Sequence, residues 1–297
     1  MIDAPVIRTS ELSKSYRSIE AVRGLNLRVG SNRITGFLGR NGAGKSTTVK
    51  MLLGMLKPTA GEGTVLGKRI DDLEESVELR RQVAYVSEDK RLYSYMTVEQ
   101  MIRFTGSFYS DWHTDVEKNL LKRYELPPGR KIRSLSKGMR TKLALLLALS
   151  RQPALLILDE PSEGLDPFGV EQLLEGLVAQ CSEGTSVFFS SHQIAEVERI
   201  ADHVCILEKG RLIVDASLDD LRQSYRQINL VFSCLPDERE FQLAGVESIR
   251  TSGHQMAVFV SDNADAIVER ARDFNASSIE VAPVGLREIF LQTVRGG

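Results

Sequence analysis

No stretch of the 297-residue sequence reaches the roughly 18 to 20 consecutive apolar residues that a membrane-spanning helix needs. The opening residues MIDAPVIRTS carry neither a basic leader nor an apolar core, so the chain is expected neither to cross a membrane nor to be secreted. Cysteine is scarce. Cys181, Cys205 and Cys234 are odd in number, far apart and without metal-type spacing, which excludes a disulfide framework; they are expected as reduced, buried small hydrophobes of a cytosolic protein. An excess of charge of either sign is also missing. The formal net charge of -2 provides no basic field for holding nucleic acid phosphates. Repeats and low-complexity tracts are absent too. What the chain does have is 42% hydrophobic residues, enough at this length for a full core and a second, smaller domain.

Hydrophobic periodicity alternates between two kinds of segment. RITGFLG reads as a short strand ending in glycine, and STTVKMLLGML after it as a helix. Further on, KLALLLALS reads as a buried helix, ALLILD as a buried strand ending in an acid, GVEQLLEGLVAQ as a helix and SVFFSS as a strand. Such alternation builds a parallel sheet covered by helices, an α/β fold. After Arg211 the pattern changes. A polar helix SLDDLRQSY leads to strands in INLVFS, MAVFVS and SSIEVAPV, with helices in ADAIVERARDF and GLREIFLQTV, an α+β module expected over 221–297 after a main domain of 1–220.

FLGRNGAGKSTT, between the first strand and helix, fits the phosphate-cradling pattern at Gly39, Gly42, Gly44, Lys45 and Ser46. Glycines let successive backbone N–H groups curl around an anion, and the helix that follows starts with unpaired N–H groups and a positive dipole end. Asn41, Ala43 and Thr47 belong to the same run, so all of these residues are expected at a triphosphate. Lys45 is expected at the β and γ phosphates and Ser46 on Mg. In LLILDEP, Asp159 and Glu160 emerge at the carboxyl end of a buried strand, where open α/β sheets bind ligands. Asp159 is expected to hold Mg through water, and Glu160 to act as general base on the attacking water.

With these motifs in place, residues 1 to about 220 resemble the ATPase subunit of ATP-binding cassette (ABC) transporters. The resemblance is carried, in chain order, by Tyr16 in LSKSYRS, LSKGM from Leu135 to Met139, EGLD ending at Asp166, and His192 after VFFSS. It implies a P-loop NTPase cassette: a RecA-like parallel core, an antiparallel β subdomain and a helical subdomain at about 89–150. It also implies that adenine stacks on Tyr16, that Ser136, Gly138 and Asp166 meet the partner subunit's ATP, and that His192 senses the γ phosphate. Lys137 and Met139 depart from the family's Leu-Ser-Gly-Gly-Gln. Glu88 stands where most of the family carries glutamine, a position that touches Mg and the attacking water.

One phosphate loop and one signature per chain imply a dimer, two copies or one copy with a related subunit, with ATP sandwiched between them. The resemblance further implies a separate transmembrane permease that places the chain on the cytoplasmic face of the membrane, and the C-terminal extension resembles that of exporter subunits. Between Asp89 and Ser134 lie Tyr93, Tyr95, Met96, Phe104, Phe108, Tyr109 and Trp112. Core packing is the default for them, with Tyr93, Tyr95 and Met96 as candidates for a groove that receives the permease. Two other functions compete: a soluble ABC ATPase acting on ribosomes or DNA, which the absence of basic surface disfavours, and a nucleotide-gated regulatory subunit, which Glu160 and His192 disfavour.

Overall fold

Residues 4–294 are described by the structure, a computed structural model. The chain divides into two units, Met1–Asp215 and Ala216–Gly297. The division falls earlier than the sequence pattern suggests, because it lies within a strand whose far end already leads into the polar helix.

Strands β1 (Ile7–Tyr16), β2 (Ile19–Leu25) and β3 (Arg28–Val29) open the first unit; β4 (Ile34–Gly39) enters a different sheet, and β5 (Ala60–Val65) and β6 (Lys68–Arg69) return to the first. That first sheet is antiparallel, in the order β2-β1-β5-β6 with β3 also on β1. Its inward residues Ile7, Leu12, Leu25, Val29 and Val65 are fully buried in a core shared with Phe37, Phe188 and Cys205 of the second sheet.

The second sheet adds β7 (Val83–Val86), β8 (Leu155–Asp159), β9 (Ser186–Ser191), β10 (His203–Glu208) and β11 (Arg211–Ser217), in the order β11-β10-β4-β9-β8-β7. The five strands from β10 to β7 run parallel. Every residue of β4, β8 and β9 is buried, as expected of strands covered on both faces, and this is why they read as unbroken runs. Parallel direction also sets the position of the site. Gly39, Asp159 and Ser191 end their strands along one edge, with Leu38 in register with Ser191 and Asp159 with Ser190.

Helices α1 (Lys45–Leu52), α2 (Leu73–Gln82), α6 (Pro167–Ser182) and α7 (Ile194–Ile200) join these strands, while α3 (Val98–Gly106), α4 (Thr114–Arg123) and α5 (Lys137–Leu149) occupy the stretch expected as a helical subdomain. Thr97 and Gln100 close a reciprocal capping box at the start of α3. Two of the aromatic residues here, Phe104 and Phe108, depart from the core-packing default. Tyr93, Tyr95, Phe104 and Phe108 are exposed and form a chain of ring contacts at 5.8, 5.5 and 5.0 Å between centroids, whereas Met96 is half-buried. Tyr109 is covered by the Arg151 guanidinium at 3.8 Å, and Trp112 Nε1 donates to Glu117.

In the second unit, α8 (Leu218–Ser224) precedes β12 (Arg226–Val231), β13 (Val246–Ser252), β14 (Gln255–Val260), α9 (Ala264–Asp273), β15 (Ser278–Pro283) and α10 (Leu286–Thr293). Its antiparallel sheet runs β13-β14-β12-β15 and buries Ile228, Leu230, Phe232, Phe241, Val258 and Ile267. Strand β13 escapes the sequence reading because it is a polar edge strand, stabilised by ladder bonds to β14 and not by an apolar face. Of the three cysteines only Cys205 is fully buried, Cys234 being exposed and Cys181 half-buried, which corrects the uniform expectation. The Cys205 thiol donates to Asp215, whose Oδ1 also lies 2.6 Å from His203 Nε2.

Candidate active site

Helix α1 starts without a side-chain cap. Its N-cap is Gly44 at φ +110°, where an added Cβ would stand 2.3 Å from the Ala21 carbonyl oxygen, so only glycine fits. The N–H groups of the first turn therefore face a cleft with no protein acceptor supplied by the cap, which is the arrangement that receives an anion. That cleft, of about 260 Å³, is lined by Ala21, Arg40, Asn41, Gly42, Gly44, Lys45, Ser46, Thr47, Glu88 and Glu160. The sequence-based set is thus largely brought together. Gly39 and Ala43 sit behind the loop: the Gly39 carbonyl accepts from Lys45 Nζ at 2.8 Å, and the Ala43 carbonyl accepts from the Gly210 N–H at 3.0 Å.

At the centre stands Glu160. Its side chain is buried, with Oε1 3.1 Å from Lys45 Nζ and Oε2 2.8 Å from His192 Nδ1. The lysine contact is one of charge and not a well-directed hydrogen bond, and Oε1 has no other partner. The backbone of Glu160 adopts φ +47°, a left-handed conformation costing a non-glycine residue about 1 to 3 kcal/mol. Its N–H donates to Ser190, and its carbonyl accepts from Lys90 Nζ at 3.0 Å. Asp159, 2% exposed, accepts from Ser190 Oγ at 2.5 Å. Ser190 and Lys90 were not singled out from sequence. Ser190 is revealed only by the β8/β9 register, and Lys90 only by a tertiary contact spanning 70 residues.

Glu88 is mostly exposed on the cleft wall. Partial burial pushes its carboxyl above the usual glutamate range, and Asp159, Glu163, Glu160 and Asp89 push in the same direction. Lys90 is moved the other way by burial, against the pull of Glu163, Glu88, Glu160 and Asp159. Glu196 is buried nearby and pushed up by desolvation, partly offset by the Ser162 and Ser191 hydroxyls that donate to Oε2.

Tyr16, Ser136, Gly138 and Asp166 do not line the cleft of their own chain. Tyr16 lies at the end of β1, 46% exposed, with Lys14 Nζ 5.4 Å from its ring centroid. Ser136 Oγ caps α5 by accepting from the Met139 N–H at 3.1 Å, and Asp166 Oδ1 caps α6 by accepting from the Gly169 N–H at 2.7 Å. Gly138 also has a packing reason, since a Cβ there would meet the Gly164 carbonyl oxygen at 3.3 Å. Gly164 (φ +81°) in turn lies under the side-chain stem of Lys137, whose Nζ is 3.9 Å from Glu163 Oε1.

A glycine-built anion cradle at a helix N-terminus, a lysine within it and a buried carboxylate against that lysine define a phosphate-loop ATPase. The chain belongs to the ATP-binding proteins of ABC transporters: the ABC transporter family model matches residues 22–163. An uncharacterized ABC transporter ATP-binding protein of Synechocystis is 33% identical over 234 residues, 74% of this chain and 65% of that one, so the chain spans slightly less than two thirds of that relative. The Nod factor export ATP-binding protein I of Neorhizobium galegae is 32% identical over 285 residues, 93% of this chain and 81% of that one. A solved ATP-binding subunit of an ABC transporter superposes with a TM-score of 0.67 at 32% identity, over 73% of this chain and 92% of the other.

Proposed function

We propose that the chain hydrolyses MgATP at a composite site formed by two subunits and thereby powers a separate membrane permease, as an exporter subunit. The observation that carries this reading is the buried Glu160 held between Lys45 and His192 at the mouth of the anion cradle. There it is placed to accept a proton from attacking water once a phosphate group takes over Lys45. Mg fits the donor set of Ser46, Glu88 and Asp159, all hard oxygens, and would neutralise charge on the transferred phosphoryl group. Ser136, Gly138 and Asp166 do not line the cleft of their own chain, which supports their use at a partner's nucleotide.

A groove of about 330 Å³, lined among others by Met55, Leu92, Met101 and Ala144, together with the exposed Tyr93, Tyr95, Phe104 and Phe108, supplies the apolar surface for a permease segment. No helix among the described residues is long and apolar enough to cross a membrane, so a separate membrane chain and a location on its cytoplasmic face follow from the reading. Direction of transport rests on the export relative. The test is ATP turnover by the purified chain against Glu160→Gln, with Mg, over a range of protein concentrations. A rate rising faster than linearly with concentration and abolished by the substitution is expected; a rate strictly proportional to concentration refutes the composite site.

A further inference from the structure

Glu160 is gripped at every polar atom, and one of the grips comes from Lys90, a residue that the sequence-based site does not include. Its N–H is held by Ser190 and its carboxylate by Lys45 and His192; its carbonyl accepts from the Glu163 N–H at 3.3 Å within the same turn. The remaining contact is Lys90 Nζ, 3.0 Å from that carbonyl, and among the described residues no other side chain bonds to it. Lys90 itself stands at φ +43°, two residues after Glu88, in the loop that leads from β7 to the helical region. It lines the groove that also contains Tyr109 and Arg151, and it lines a second cavity with Lys137, Arg140 and Glu163. A single side chain therefore runs from the wall of the groove to the peptide of the buried carboxylate.

We infer that Lys90 is a positioning residue for hydrolysis: its ammonium fixes the Glu160 peptide plane, and so the direction of the carboxylate, and ties that peptide to the loop walling the groove. The physical case has two parts. A left-handed glutamate persists only while its surroundings over-determine it, and the carbonyl bond is one of those determinants. The ammonium is also attracted by the carboxylates of Glu163, Glu88, Glu160 and Asp159, and its charge-assisted bond to the carbonyl is stronger than a neutral one. A segment seated in the groove would shift the loop, and Lys90 would transmit that shift to Glu160 as a rotation of one peptide. This last step rests on the reading of the groove given above; the positioning role does not.

The experiment compares wild type, Lys90→Gln and Lys90→Arg in steady-state MgATP turnover and in amide hydrogen exchange at Glu163. Lys90→Gln is expected to lower kcat about tenfold with KM changed less than about twofold, because ATP contacts are untouched while the carboxylate is misdirected. Lys90→Arg is expected to recover most of the loss, since a guanidinium keeps the donor and the charge. In the glutamine variant, exchange at the Glu163 amide is expected to rise about threefold or more, as the turn it closes loosens. An unchanged kcat, or an equal loss in both variants with KM rising in step, overturns the inference. If wild type itself shows no turnover, the proposed function fails separately, and the exchange comparison still decides: equal exchange in wild type and Lys90→Gln refutes the positioning role.

Discussion

Removing the charge of Glu160 has a consequence for stability that precedes any chemistry. The side chains of Lys45 and Glu160 are 6% and 8% exposed and their charged atoms are 3.1 Å apart. At that separation the attraction is about 5 kcal/mol at an effective dielectric of about 20, and desolvation of both groups offsets much of it. Glu160→Gln keeps the volume but leaves the lysine charge buried with only the carbonyls of Gly39 and Arg40, at 2.8 and 3.4 Å, to accept from it. Stranding one member of a buried pair costs about 3 to 5 kcal/mol, and the retained carbonyl contacts favour the lower end, about 3 kcal/mol. For a unit of this size that corresponds to a fall of about 6 to 12 °C in the melting temperature without nucleotide. The assay is calorimetry of wild type, Glu160→Gln, Lys45→Met and the double variant, each with and without ATP. The double variant is expected to recover most of the loss, giving a coupling of about 2 to 3 kcal/mol, and ATP is expected to stabilise Glu160→Gln more than wild type because its phosphates replace the missing counter-ion. If the nucleotide-free Glu160→Gln protein melts within 2 °C of wild type, using about 2 to 4 °C per kcal/mol, the pair contributes nothing measurable and the reasoning fails.

Gly44→Ala is expected to abolish ATP binding in equilibrium dialysis, since the new Cβ would lie 2.3 Å from the Ala21 carbonyl oxygen at φ +110° and the loop must deform to relieve it; binding within threefold of wild type would refute this. Glu196 has a folded-state pKa above its ordinary value, so its contribution to stability is present at low pH and is lost as pH rises through the raised value. Glu196→Gln is therefore expected to raise the melting temperature relative to wild type at pH 8 and to lose that advantage at pH 4, and a constant offset across pH would refute the assignment. Phe241 in the second unit is fully buried, with ring contacts to Phe232 at 5.8 Å and Phe274 at 5.9 Å. Phe241→Ala is expected to destabilise that unit by about 3 to 5 kcal/mol, read as a lower denaturant midpoint for exchange at the amides of β12 and β14.

What could be read in advance follows from how locally each feature is determined. The strands β4, β8 and β9 are buried on both faces and so advertise themselves as apolar runs, and the phosphate loop is a contiguous backbone device whose glycines are demanded by its own geometry. The edge strand β13 owes its existence to a ladder partner, which no local pattern encodes. The same holds in the site. Glu160 is legible from its strand end, but the atoms that grip it, from Ser190 and Lys90, belong to segments 30 and 70 residues away. The exposure of Phe104 and Phe108, for which core packing is the default, is not legible in advance because helical spacing alone does not reveal which face of α3, and of the turn after it, is left uncovered.

The packing of Lys137 over Gly164 constrains the two positions unequally. A side chain at position 164 would have its Cβ 2.9 Å from the Lys137 Cβ, and the backbone there stands at φ +81°, where any L side chain is strained. Trimming Lys137 to alanine would remove the Cδ and Cγ contacts at 3.3 and 3.7 Å but leave the Cβ clash and the backbone strain in place. The lysine can therefore be shortened without freeing its neighbour, and the turn that leads into α6 tolerates change at 137 far more readily than at 164.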